Sequence, residues 1–121
     1  FEPADEAARR LDRYVLTARA QALAMSGELE EGVRLLRTQI SARRALHQRE
    51  PQVADYERGY AISLAMLADL YADNGGVAEA CPIYAQSRGL LEGLDRRGLL
   101  SAQDRGNALR MIVERQAACA G

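Results

Sequence analysis

Leu64-Ala65-Met66-Leu67-Ala68-Asp69-Leu70-Tyr71-Ala72-Asp73-Asn74-Gly75-Gly76-Val77-Ala78-Glu79-Ala80-Cys81-Pro82-Ile83-Tyr84-Ala85-Gln86-Ser87 carries two helical faces on either side of a glycine turn. Leu64, Leu67 and Tyr71 recur at three- and four-residue steps before the turn, and Ala80, Tyr84 and Ser87 do so after it. Small residues at Ala68 and Ala80 allow two helices to approach closely, and Gly75 supplies the turn between them. The segment therefore predicts an antiparallel helical hairpin. Upstream, Leu16, Ala20, Leu23, Gly27, Gly32 and Leu36 form a fainter copy, and overlaying Gly27 on Gly75 sets a period of 48 residues.

The same two signals, breakers and helical period, divide the rest of the chain. Ser26-Gly27, Glu50-Pro51, Asn74-Gly75-Gly76 and Arg96-Arg97-Gly98 are the turn signals, with Pro3 near the start. They leave five helices, at about 5–25, 28–49, 53–73, 77–95 and 101–118, joined by short links that make neighbours antiparallel. In the first, the face is read as Ala7, Leu11, Tyr14, Val15, Ala18, Ala22 and Met25. Pro82 implies a late start or a bend in the fourth. Ser101-Ala102-Gln103-Asp104 opens the fifth like a capping box. Alanine and leucine far outnumber the β-branched residues, which favours helix over sheet throughout 121 residues. The expectation is all-α: one domain over 1–121, with hairpin one at 5–49, hairpin two at 53–95 and a C-terminal capping helix at 101–118. The Phe1-Glu2-Pro3 start in place of Met predicts a piece of a longer protein.

The pattern large, large-small, aromatic, glycine, small, aromatic, small over 64–87 resembles the tetratricopeptide repeat. The run Glu50-Pro51, Ala54-Asp55-Tyr56, Ala61-Ile62-Ser63-Leu64 and Leu67-Ala68-Asp69 narrows this. It is similar to the long tetratricopeptide units in C-terminal regions of bacterial eukaryotic-like serine/threonine kinases and related signalling proteins. Ala68 stands where those units commonly have Gly, and Gly59-Tyr60 where Asp-Leu is typical. The 48-residue period exceeds the usual ~34 of this repeat, which requires an extended second helix in hairpin one. The resemblance implies hairpins stacked as a short superhelix, with a concave groove formed by the first helix of each hairpin. By register, the groove positions are Tyr14, Thr17, Gln21 and Ala24 in the first unit and Ile62, Ala65, Asp69 and Asp73 in the second. The acidic pair Asp69 and Asp73 favours a peptide or partner helix with some positive charge. The Lys/Asn clamp of chaperone-binding members cannot form, because the chain has no Lys.

Cys81 near the start of the fourth helix and Cys119 at the end of the fifth are brought together by antiparallel packing. A disulfide there closes a ring worth about 4 kcal/mol by loop-closure entropy and requires an oxidising compartment such as the periplasm. The other state is two reduced core thiols in a cytosolic protein.

Several chemistries are excluded. All sixteen basic residues are Arg and nearly balance the 17 acidic ones, for a net charge of -1, which disfavours nucleic-acid binding. Without Lys there is neither Schiff-base chemistry nor a P-loop. Two cysteines and one histidine are too few for a metal site, and no cofactor is expected. His47, the sole histidine, is read as an exposed helix-terminal residue. Glu28, Glu30 and Glu31 complement the dipole of the second helix. No apolar stretch spans a bilayer. The resulting expectation is a non-catalytic, extracytoplasmic module that binds a protein or peptide partner or self-associates as a homodimer. The alternative is a cytosolic ligand-sensing domain of a transcription regulator or cyclase.

Overall fold

The structure, a computed structural model, describes residues 15–120, and every regular element within them is helical. Helix α1 is described over 15–25, followed by α2 (Leu29–Arg49), α3 (Ala54–Asp73) and α4 (Val77–Arg96). The last helix, α5, opens with a turn at Ala102–Asp104 and widens to a π-helical turn at Arg105–Leu109. It then continues as α-helix over Arg110–Ala117 and closes with a 3-10 turn at Ala118–Ala120. Ala7, Leu11 and Tyr14 lie outside the described residues.

Three of the four turns are built the same way. Gly27, Gly75 and Gly98 adopt φ of 88°, 82° and 72°, the left-handed region that glycine enters without a Cβ penalty. At each, the amide after the glycine donates back to the carbonyl five residues earlier: Glu28 to Leu23, Gly76 to Tyr71 and Leu99 to Leu94. Orphan carbonyls at the helix end are thereby satisfied and the chain reverses within two or three residues. The Ser101 hydroxyl accepts from the Asp104 amide at 3.1 Å, the cap expected for α5.

Side-chain contacts fix the direction of each helix. Between α3 and α4 the pairs run Asp69 with Tyr84, Tyr60 with Gln86 and Glu57 with Arg97, antiparallel. Between α4 and α5 they run Cys81 with Cys119, Arg88 with Gln116 and Asp95 with Arg105, also antiparallel. Arg58 with Asp104 and Asp69 with Arg115 are both 46 residues apart, so α5 lies parallel to α3. Thus α5 occupies the place of the first helix of a third hairpin. The 48-residue step carries Leu64 to Ile112, and both are buried.

Two apolar clusters hold the layers. Ala20, Ala24, Val33 and Leu36 meet Leu67 and Leu70 in one, and Ala61, Ala68, Ala80, Tyr84, Leu91, Leu94, Leu100 and Ile112 form the other. The close approaches expected of small residues are present at both levels. A Cβ on Gly32 would stand 2.6 Å from the Ala20 carbonyl oxygen, so α1 and α2 approach backbone to backbone there. One period on, Ala68 and Ala80 are fully buried at the equivalent positions. The buried Ser87 hydroxyl reaches across the hairpin to the Ala61 carbonyl at 2.7 Å.

One expectation changes and another is narrowed. The face assigned to the first helix is displaced: Val15, Ala18, Ala22 and Met25 are exposed, Met25 to 87%, while Ala20 and Ala24 are buried. Apolar residues surround this Ala-rich helix, so the period alone does not choose a side, and the close approach of Gly32 does. Helix α4 starts at Val77 and runs on through Pro82, so it does not start late. Pro82 is exposed in its second turn, where only the Ala78 carbonyl loses its donor.

Candidate binding surface

Of the groove positions assigned by register, Tyr14 lies outside the described residues. Gln21 and Asp73 are exposed, and Thr17, Ile62, Ala65 and Asp69 are half-buried. Ala24 is a correction: it is buried in the cluster with Val33 and Leu36 and offers nothing to a ligand. Ile62 and Ala65 pack partly against the α3–α4 cluster. Thr17 Oγ1 donates to Met66 Sδ at 3.3 Å, tying α1 to α3 along this side. The 48-residue step places Thr17, Ala65 and Val113 at equivalent positions of α1, α3 and α5, and Gln21, Asp69 and Ala117 likewise.

The acidic pair is not what the sequence implied. Arg115 Nη1 lies 2.6 Å from Asp69 Oδ1, and the Tyr84 hydroxyl donates to the same oxygen. Burial pushes the Asp69 carboxyl above its ordinary range, against the lowering by Tyr84 and Arg115. The same burial, with the Asp69 hydrogen bond, pushes the Tyr84 phenol up to about 12. Asp69 is therefore committed to its own chain, and Asp73 alone presents exposed acid. Sequence reasoning missed Arg115 because nothing local to it signals a partner 46 residues upstream.

At the opposite end of α3 a second polar cluster joins three helices. Glu57, 7% exposed, accepts from Arg97 Nη2 at 2.6 Å, and His47 Nε2 lies 4.0 Å from its other oxygen. The His47 ring stacks on Tyr60 with centroids 6.3 Å apart, and the Tyr60 hydroxyl accepts from Gln86. His47 is thus not the exposed residue expected: its side chain is only 20% exposed, because the end of α2 packs over α3. Neighbouring Arg58 grips Asp104 with two nitrogens, at 2.6 and 3.1 Å, and the Asp104 carboxyl is held below its ordinary range chiefly by that bond.

Cys81 Sγ and Cys119 Sγ lie 2.07 Å apart, disulfide-bonding distance, with Cα atoms 5.9 Å apart. One period earlier the same two positions are Val33 and Tyr71, which pack in one apolar cluster. The cysteine pair thus stands where the level above has an apolar contact. Among the described residues, no group of His, Cys, Asp and Glu is arranged to hold a metal ion, and no helix is long and apolar enough to cross a membrane. No family model matches this chain, nor does any curated protein or solved structure.

Proposed function

We propose that the chain is a tetratricopeptide-like, non-catalytic interaction module that binds a partner protein or peptide along the side formed by α1, α3 and α5. The observation that carries this reading is the recurrence of first helices: α5 runs parallel to α3, and equivalent positions fall 48 residues apart. Stacked first helices produce an extended surface that suits a peptide or helix more than a small molecule. Gln21, Asp73 and the half-buried Thr17 and Ala65 are its contact residues. With Asp69 neutralised internally, recognition here rests on shape and apolar contact more than on a charged field.

The resemblance to long tetratricopeptide units supports reading the module as part of a bacterial signalling protein, with the extracytoplasmic C-terminal part of a serine/threonine kinase as the proposed setting. The cysteine pair at bonding distance supports an oxidising compartment over the cytosolic sensor alternative. Selection of displayed random peptides on the purified protein tests the surface. Selected peptides are expected to lose at least about tenfold in affinity against Gln21→Arg and Asp73→Arg, since both positions are exposed and tolerate a long side chain. Peptides that bind both variants as well as the parent protein would place recognition elsewhere.

A further inference from the structure

We propose that the Cys81–Cys119 bond is a redox latch on α5, whose reduction releases that helix alone from the α3–α4 hairpin. This does not depend on the partner-binding reading above. It starts from how thinly α5 is otherwise held. Among the residues of that helix whose burial is described, only Ile112 is buried, Ala108 and Leu109 are half-buried, and Met111 and Val113 face solvent. Its ionic ties, Arg58 with Asp104, Arg105 with Asp95 and Arg115 with Asp69, each have an arginine at least a third exposed, where ion pairs are weak.

At the levels above, a first helix is held by a small residue at the close approach: Ala20 in α1 and Ala68 in α3. In α5 the equivalent position is Gln116, which instead accepts from Arg88 Nη1 at 3.1 Å. The disulfide likewise replaces the Val33 and Tyr71 packing of the preceding level. A covalent tie has therefore taken over from apolar contacts, and a covalent tie is the one kind that redox chemistry can remove.

The hinge is in place as well. Gly98, with φ of 72° and open space around it, begins the short link to Ser101. The rest of the fold keeps its own cores without α5, in Ala61, Ala68, Ala80, Tyr84, Leu91 and Leu94 and in the α1–α2 layer. Both cysteines are half-buried, so neither is sealed from a reductant. A dithiol attacks one sulfur through its thiolate, giving a mixed disulfide, and its second thiolate displaces the protein sulfur. Two electrons and two protons pass to the chain, leaving two thiols and an oxidised, cyclic disulfide. Release of α5 then frees Arg58 from Asp104 and Asp69 from Arg115, leaves the Tyr84–Asp69 bond within the hairpin, and uncovers that side of α3 and α4.

Amide hydrogen exchange on the full chain tests this, comparing the oxidised protein, the protein reduced with dithiothreitol, and Cys119→Ser without reductant. The amides of Ile112, Val113 and Glu114 are expected to exchange at least about tenfold faster in the latter two states. Those of Leu64, Leu67 and Leu91 are expected to stay within about twofold. Unchanged protection of α5 after reduction would overturn the proposal. So would a parallel loss of protection in α3 and α4, which would make the bond a staple of the whole fold.

Discussion

The Arg115 guanidinium sits 2.6 Å from the Asp69 carboxylate, 46 residues away in the chain and one helix across. The cation matched to the acid of α3 is thus supplied by the chain's own last helix. Replacing Arg115 by Ala should cost about 1 kcal/mol at pH 7, a modest figure because both side chains are about a third exposed. Burial already holds the Asp69 carboxyl above its ordinary 3.8, and losing Arg115 raises it further. A group whose folded value is raised favours folding below its unfolded value and loses that contribution as pH rises through the folded one. The cost of Arg115→Ala should therefore shrink as pH falls toward 4, which urea unfolding at both pH values checks.

Asp104 has the opposite sign. Its folded carboxyl is lowered, first by the Arg58 hydrogen bond, so its contribution is complete above the ordinary 3.8 and is lost as pH falls through the lowered value. Asp104→Asn should destabilise the protein by about 1 kcal/mol at pH 7 and by less at pH 2. Equal destabilisation at both would show that the charge plays no part.

Glu57 and Arg97 form an uneven pair, since the carboxylate is buried and the guanidinium is half in water. Arg97→Ala leaves a buried carboxylate beside His47 and without its guanidinium, and should cost about 2 kcal/mol or more. Arg97→Ala/Glu57→Gln, which also removes the orphaned charge, should recover part of that loss. Chemical denaturation of the two variants against the parent decides it.

Two glycines on helices should respond in opposite ways to alanine. A Cβ on Gly32 collides with the Ala20 carbonyl oxygen, which is rigid backbone, so Gly32→Ala should destabilise by about 2 kcal/mol despite better helix propensity. Gly89, inside α4 with open space around it, should gain about 0.5–1 kcal/mol as Gly89→Ala. Thermal melts of both variants provide the comparison, and a stabilised Gly32→Ala would mean that α1 and α2 are not in close contact there.

The local chemistry of the chain was legible because it depends on residues near in sequence. Gly27, Gly75 and Gly98 announce turns that only glycine enters cheaply, and all three have positive φ. The capping of α5 by Ser101 needs only three residues to be recognised. The cysteine pairing is legible as well, because antiparallel packing of neighbouring helices brings the start of one to the end of the next.

Sequence by itself thus determined five helices, their turns, the 48-residue recurrence and the meeting of Cys81 with Cys119, all set by backbone preference and by helical period. Only the tertiary structure decided which side of α1 is buried, that α5 runs parallel to α3, that Asp69 belongs to Arg115, and that His47 lies against Glu57 and Tyr60. Those outcomes join residues that are distant in the chain. Periodicity tells which residues share a face, but the neighbour that meets the face is chosen by close approach, burial and charge pairing among helices already packed.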